Sequence, residues 1–163
     1  MSVWGVDVGL KHIACVAIGD RGTVPWQIDL KYPSTFRLPD KLALMHIQLL
    51  TWWPELWATV SPDMVWVEQP AGRFTNPSLY AAWGIVQASL REGLAPLTNY
   101  PTPILPIVPS EWKKIAIGRG DANKEAIMAW AREEGFQHAS GDVIDAYGIA
   151  TAAWVSSQPT PRP

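Results

Sequence analysis

The sequence has few of the residues that build disulfide frameworks and zinc sites. Its 163 residues include a single cysteine, Cys15, so no disulfide can form within the chain. Cys15 lies in an apolar run, which favours a buried free thiol in a reducing cytosol. The three histidines, at positions 12, 46 and 138, are scattered and offer no cluster of imidazole ligands. A disulfide-stapled secreted domain and a zinc-binding module are therefore disfavoured.

Charge and long apolar runs are also scarce. Charged residues make up 17% of the chain and the AVILMFWYC set 48%, which is the composition of a globular protein. The formal net charge of −2 argues weakly against tight nonspecific binding to nucleic acid. The apolar runs are too short to cross a membrane, and the first residues lack the basic segment of a signal peptide. We expect a cytoplasmic protein with one domain over residues 1–157 and a flexible, proline-rich tail over 158–163.

The N-terminal segment predicts an antiparallel meander of three strands. Residues 3–8 and 11–18 have strand patterns joined by a tight connection. A strong turn signal at 19–22 leads into a third strand near 24–30.

Helices and strands alternate in the rest of the chain. Apolar spacing from Lys41 onward predicts a helix, which Pro54 should break or kink. Residues 64–67 predict a short buried strand, Asn76 should cap the next helix, and residues 104–108 predict another short strand.

Three helices complete the predicted order. Ser110 should cap a short helix, Asp121 should cap a second that runs to about Glu134, and the last should begin near Ser140. The sequence therefore predicts an α/β fold with a mixed five-stranded sheet, three antiparallel strands followed by parallel ones, and helices on both faces.

Four acidic residues next to apolar sequence carry the functional signal: Asp7, Glu68, Asp142 and Asp145. A carboxylate removed from water either becomes protonated or binds a cation, so we expect these acids to converge on a divalent metal. Oxygen ligands without histidine or cysteine suit Mg²⁺ or Mn²⁺. Two such ions about 3.5–4 Å apart can activate water and stabilise the leaving oxygen of a phosphodiester. We interpret the pattern as a metal-dependent nuclease.

Each acid, taken singly, also fits a structural role. Asp7 could be a turn-facing acid near a strand end, Glu68 a solvent-facing strand terminus, and the last pair helix-capping charges. Their order, spacing and flanking residues together favour the shared site.

Strand and helix periodicity indicate how the acids could meet. Asp7 shares one face of its strand with Gly5 and Gly9, whose bare backbone could admit a phosphate. If the strand that ends at Glu68 runs parallel to the first, both acids lie at one end of the sheet. The last two acids are three residues apart at the start of a helix and share one face.

These motifs resemble those of the RuvC family of Holliday junction resolvases. The matching segments are Gly-Val-Asp-Val-Gly at 5–9, Val-Glu-Gln at 67–69 and Asp-Val-Ile-Asp-Ala at 142–146. A further stretch, 108–125, is similar to the family's lysine, Gly-x-Gly loop and second lysine ahead of a helix. The resemblance covers residues 3–154 and implies an RNase H-like fold, a homodimer and the resolution of four-way DNA junctions by paired nicks.

Carried over to this chain, the resemblance assigns roles to individual residues. The catalytic, metal-binding acids would be Asp7, Glu68, Asp142 and Asp145, with two Mg²⁺ ions per site, Mn²⁺ as a substitute and no small-molecule cofactor. Lys124 joins the catalytic set and, like Lys113, would contact DNA phosphates near the scissile bond. Lys114 and Arg119 are further phosphate candidates.

The sequence departs from the family pattern in two places. An aromatic residue that inserts into the junction follows the family's Glu-Gln, whereas the nearest aromatic here is Phe74, with Arg73 as its possible phosphate partner. The chain is also more acidic than well-known members. Its compact length and many tryptophans resemble a bacteriophage or prophage member in a bacterial or phage-infected cytosol.

Other functions remain open on the sequence alone. The same fold could cut other branched DNA, process RNA, or bind junctions without catalysis. An ATP-binding protein of the actin and sugar-kinase type shares an early Asp-x-Gly but needs two domains. Leu79, Trp83 and Val86, on the helix after Asn76, could form the dimer face or simply the core.

Overall fold

The computed structural model describes residues 1–71, 76–98 and 101–159. Its sheet has the strand order β3-β2-β1-β4-β5, so the first strand lies in the centre. The strands are β1 (Ser2–Val8), β2 (His12–Gly19), β3 (Gly22–Asp29), β4 (Met64–Glu68) and β5 (Ile104–Ile107). Pairing is antiparallel among β1, β2 and β3, and parallel from β1 to β4 and from β4 to β5. The predicted mixed α/β sheet is confirmed.

In the described residues, five α-helices cover the two faces of the sheet. They are α1 (Leu38–Thr59), α2 (Pro77–Leu94), α3 (Pro109–Ile117), α4 (Lys124–Glu133) and α5 (Gly141–Ser157). The α1–α2 pair packs on one face, and α5, flanked by α3 and α4, packs on the other. None of these helices, within the residues described, combines the length and apolarity needed to cross a bilayer.

Alternation along β1 sends its side chains to two separate cores. Trp4 and Val6 are fully buried against α1 and α2, together with Trp53, whose indole N–H donates 2.9 Å to Ser89 Oγ. Cys15 on β2 is buried as a free thiol, as predicted. The remaining face of β1, which includes Asp7, is turned toward α5.

Gly5 allows α5 to lie directly on β1. A Cβ atom at Gly5 would clash with the backbone of Ala146 and Ala150, and it would stand only 2.8 Å from the Ala150 Cα. The interpretation of Gly5 and Gly9 as open backbone for a phosphate is therefore wrong. Gly5 is covered by helix backbone, and a Cβ at Gly9 would stand 2.8 Å from the His12 carbonyl oxygen within a tight turn.

Of the two predicted effects of Pro54 on α1, a break or a kink, the break does not occur and the kink stays a prediction. The helix runs from Leu38 to Thr59 with Pro54 in its interior. Proline removes one N–H donor and crowds the carbonyl four residues earlier. Trp53 and Leu56, on either side of it, are both buried in the core, and this packing favours continuing the helix.

Four predicted helix starts have different outcomes. Asn76 caps α2 as predicted, accepting 2.8 Å from the Ser78 backbone N–H. Helix α3 instead begins at Pro109, because proline at the first helical position lacks only an N–H that would be unbonded there. Asn123, not Asp121, caps α4 by accepting 2.9 Å from the Ala126 N–H. The last helix starts at Gly141 with Ser140 at the capping position, as predicted.

Candidate active site

Asp7 and Glu68 lie side by side at one edge of the sheet. Strand β4 pairs in parallel with β1, and the last paired residues are Val6 and Val67. The next residue along each strand is an acid, so the two carboxylates leave neighbouring strands at the same level and on the same face. The condition set from the sequence, a parallel arrangement of these two strands, is met.

Helix α5 brings the other two acids to this edge. Asp142 lies in its first turn and Asp145 one turn later, and the helix packs directly on β1 at Gly5. The positive end of the helix dipole favours carboxylates in this position. Three segments far apart in sequence therefore supply the acidic group.

The pKa values of the acids show that their charges interact. Burial raises the pKa of Asp7 well above its ordinary value, and the negative charges of Glu68, Asp145 and Asp142 raise it further. The positive charge of Lys124 acts in the opposite direction. All four predicted acids thus lie within electrostatic reach of one another.

Trp112 holds Glu68, and sequence reasoning missed this role. The indole N–H of Trp112 donates a 2.5 Å hydrogen bond to Glu68 Oε2. Burial raises the pKa of Glu68, while this hydrogen bond lowers it by favouring the charged carboxylate. Trp112 is itself buried in α3, and Gly148 of α5 makes room for its ring, because a Cβ there would overlap the six-membered ring. The local sequence signal was the position of Trp112 beside Lys113.

Lys124 is bonded to Asp145. Its ammonium group donates to Asp145 Oδ2 and, at 2.9 Å, to the Gly141 carbonyl oxygen. Burial raises the pKa of Asp145, and the hydrogen bond and charge of Lys124 lower it. A Cβ at Gly141 would stand 2.7 Å from Lys124 Cε, so this glycine leaves the space that the lysine occupies.

No protein-family model matches the chain. A comparison with curated proteins gives no significant relative either. Among solved structures, RuvC of Thermus thermophilus superposes with a TM-score of 0.68 at 20% identity, covering 96% of this chain and 95% of that one. The T. thermophilus RuvC complex with a Holliday junction substrate gives 0.71 at 20% identity, covering 96% and 94%. The chain has the RuvC fold.

A third structure extends this comparison. The yeast mitochondrial Holliday junction resolvase Ydc2 superposes with a TM-score of 0.53 at 18% identity, covering 94% of this chain and 78% of that one. The predicted RNase H-like architecture and the resemblance to RuvC are therefore confirmed at the level of fold.

The carboxylates in this RuvC fold offer a donor set for a hard cation. All of the candidate ligands are carboxylate oxygens, which suit Mg²⁺ or Mn²⁺. Asp145 Oδ1 is buried and accepts no hydrogen bond from the described residues, so it is available as a ligand. In the described part of the chain, no three Asp, Glu, His or Cys side chains already stand close enough to hold one ion together. One carboxylate oxygen of Glu68 accepts a hydrogen bond from Trp112, and one of Asp145 accepts a hydrogen bond from Lys124.

The residues of this chain that were predicted to contact DNA fall into three groups. Lys113 is half-buried, and its positive charge lowers the pKa of Glu68 and Asp145, so it stands near the acids. Lys114 and Arg119 are exposed, and Arg119 pairs with Asp121 at 3.2 Å. The remaining two candidates, Arg73 and Phe74, lie outside the described residues.

Proposed function

We propose that this protein is a metal-dependent, structure-selective DNA endonuclease that resolves four-way junctions by paired, symmetric nicks. One observation carries the proposal: carboxylates from β1, β4 and α5 lie within electrostatic reach of one another at one sheet edge of a RuvC fold, with Lys124 and Lys113 near them. The T. thermophilus RuvC structure in complex with a Holliday junction substrate supports branched DNA as the substrate class.

In the proposed mechanism the four acids would hold divalent cations, two per site. When bound, Mg²⁺ or Mn²⁺ would supply the Lewis acidity that phosphodiester hydrolysis requires. Trp112 keeps Glu68 in one orientation through its hydrogen bond, which leaves Oε1 free to bind. The buried, negatively charged surroundings of Asp7 favour binding of a cation, because a cation relieves the mutual repulsion of the carboxylates.

The two lysines would act on the DNA. Lys124 and Lys113 carry positive charge to the point where the scissile phosphate would lie, and each can donate to a phosphate oxygen. Lys124 also places one of the acids, because it is bonded to Asp145. Its role as a catalytic residue is part of the proposal.

Paired cutting requires two active sites, so the proposal includes a homodimer. A two-fold axis relating two protomers would match the symmetry of a four-way junction. On the helix considered as the dimer face, Val86 is part of the core, whereas Leu79 and Trp83 are half-buried and keep some exposed surface.

The test is cleavage of a labelled four-way DNA junction in Mg²⁺ or Mn²⁺, with linear duplex, a fork and an RNA duplex in parallel. The proposal expects paired symmetric nicks in the junction alone, and their loss in EDTA and in Asp7→Asn. Asp20→Asn is the matched control, because Asp20 is exposed at the opposite edge of the sheet and should leave cleavage unchanged.

Other outcomes would replace the proposal with a different function. Cleavage of forks and other branched DNA would indicate a broader nuclease, and cleavage of RNA would indicate RNA processing. Binding to the junction without cutting would indicate a noncatalytic module.

A further inference from the structure

All six lysines of the chain fall at the sheet edge that carries the acids. The carboxyl ends of β1, β4 and β5 and the end of β3 all meet at this edge. One set of three, from α3 and the start of α4, is Lys113, Lys114 and Lys124. The other set follows β1, follows β3 and lies in the first turn of α1: Lys11, Lys31 and Lys41. Neither the motifs nor the proposed catalytic roles account for this second set.

The second set lines an open cleft of about 470 Å³ around Tyr32, which we term the lysine cleft. The Leu30 backbone N–H donates 2.8 Å to the Lys11 carbonyl oxygen, and this contact places Lys31 beside Lys11. The Lys41 ammonium lies 6.0 Å from the centroid of the Tyr32 ring. The Tyr32 hydroxyl is buried and has no hydrogen-bond partner among the described residues, so the ring, and not the hydroxyl, forms the wall of the cleft.

The lysine cleft is positively charged although the chain is acidic overall. Its lining includes one acid, Asp29, whose Oδ1 already accepts hydrogen bonds of 2.9 Å from Gln27 and lies 2.9 Å from His12 Nδ1. Within the described ranges, no carboxylate forms an ion pair with any of the three cleft lysines. The three ammonium groups are therefore available to an anionic partner.

The position of the cleft fits a long polyanion. Strand β3 is two strands away from β1, and strands are spaced about 4.8 Å apart, so the cleft lies on the order of 10 Å from Asp7. Double-stranded DNA carries one phosphate per about 3.4 Å along each strand, so this separation corresponds to about three nucleotides. The acids lie between the two lysine sets, and a backbone that followed the edge would contact both.

We propose that the lysine cleft binds the sugar-phosphate backbone of a DNA arm away from the cleavage point. This inference rests on the proposed function, because it takes DNA as the partner. Lysine ammonium groups bind phosphates as point charges, and the three cleft lysines have no competing carboxylate among the described residues. The cleft would hold the substrate in place while the lysines of α3 and α4 serve the scissile phosphate.

The test is binding of a labelled four-way DNA junction in EDTA, measured by fluorescence anisotropy over a series of salt concentrations. For Lys11→Gln/Lys31→Gln/Lys41→Gln, we expect the slope of log affinity against log salt to fall in magnitude by about 2–3, since each lost phosphate contact contributes about 0.9. Replacing the same three lysines with arginine should restore the slope. Single-turnover cleavage at saturating protein in Mg²⁺ should stay within about twofold of wild type, because the contacts lie away from the chemistry.

The matched control removes three positive charges elsewhere: Arg21→Gln/Arg91→Gln/Arg132→Gln. This control should keep the wild-type slope. An unchanged slope in the lysine variant, or an equal loss in the arginine control, would overturn the cleft assignment. A fall in the saturating cleavage rate with unchanged binding would also overturn it. Lys11→Gln and Lys31→Gln, both at exposed positions, supply the same test one charge at a time if the triple variant does not fold.

The design separates this inference from the proposed nuclease. Binding is measured without metal. If the lysine variant loses slope relative to wild type but wild type never cuts the junction, the proposed nuclease activity is refuted and the proposed DNA contact of the cleft is supported. If wild type cuts junctions and the lysine variant binds them with the wild-type slope, the proposed DNA contact of the cleft is refuted and the proposed nuclease activity is supported.

Discussion

The indole N–H of Trp112 is hydrogen-bonded to Glu68 Oε2, so a fully buried tryptophan fixes one carboxylate at the edge of the sheet. This contact joins α3 to β4, two elements whose connection is not visible in the local sequence. It makes the orientation of Glu68 depend on the packing of α3 against α5.

Trp112→Phe should therefore weaken metal binding. The smaller ring keeps most of the packing but removes the donor, and loss of such a supporting hydrogen bond typically costs about 10–100-fold in metal affinity. Mg²⁺ affinity would be measured by nuclear magnetic resonance titration of the metal-free protein. Trp53→Phe is the control, because it also removes a buried indole N–H, but one bonded to Ser89 on the opposite face. Equal Mg²⁺ affinity in the two variants would show that Trp112 does not orient Glu68.

Gly141→Ala should reduce the cleavage rate through Lys124. The added methyl would stand 2.7 Å from Lys124 Cε and 2.9 Å from its Nζ, so the lysine must move away from Asp145. We expect a loss of about tenfold or more in single-turnover rate, the scale of one removed charged hydrogen bond. Gly84→Ala is the control, since a Cβ there meets nothing within 4 Å and should leave the rate unchanged. An unchanged rate in Gly141→Ala would show that cleavage does not need Lys124 in its position beside Asp145.

Asp7→Asn should stabilise the metal-free protein at neutral pH. Burial and neighbouring negative charges raise the pKa of Asp7, so the folded state holds this proton at pH values where the unfolded chain has released it. Stability therefore falls as pH rises from the unfolded carboxyl pKa of about 4 to the raised pKa of Asp7 in the folded state. Thermal unfolding in EDTA from pH 4 to pH 8 should show this decline in wild type and a flatter profile in Asp7→Asn.

Asp29 supplies a control of the opposite sign. Its pKa is lowered, first by the hydrogen bond from Gln27 and then by that from His12. Any stability it adds is present above the unfolded carboxyl pKa and is lost as pH falls. Asp29→Asn should therefore not raise stability at neutral pH, and a rise equal to that of Asp7→Asn would contradict the assignment of the effect to burial of Asp7.

Gly5→Ala should destabilise the fold and displace two of the acids. Its Cβ would clash with helix backbone at Ala146 and Ala150, and backbone cannot rotate away as a side chain can. Overpacking of this kind costs about 1–3 kcal/mol, and we expect the upper end or more. Urea denaturation would measure the change against Gly84→Ala, which should be neutral or slightly stabilising in its exposed helical position. Wild-type stability in Gly5→Ala would show that α5 can move without cost.

The mixed sheet and the gathering of the four acids could be predicted from the sequence because their signals are local. Asp7 and Glu68 each adjoin a short apolar strand, and the helix that carries Asp145 has regular spacing. The parallel pairing of β1 and β4 was a condition set from the sequence, and the fold meets it. These features depend on neighbouring residues and on general rules of sheet topology.

Other features could not be predicted because they depend on contacts between distant segments. The bond between Trp112 and Glu68 needs α3 and β4 to be placed first, and the space for the indole ring comes from Gly148 on a third element. The helix through Pro54 is similar, since burial of its neighbours outweighed a local rule. Gly5 was interpreted as open backbone for a phosphate, and only the position of α5 shows that helix backbone covers it.

The single thiol of the chain makes the central sheet observable in solution. Cys15 pairs with Val6 in the register of β1 and β2, one residue away from the pair that contains Asp7. Burial raises the pKa of this thiol, so it stays protonated and shielded while the core between the sheet and the α1–α2 pair remains closed. With no competing cysteine, the rate at which a thiol reagent labels the native protein reports how often this core opens beside the strand that carries Asp7. The same measurement, repeated with metal and with DNA, would show whether ligands at the acids change the opening of this core, without introducing a probe.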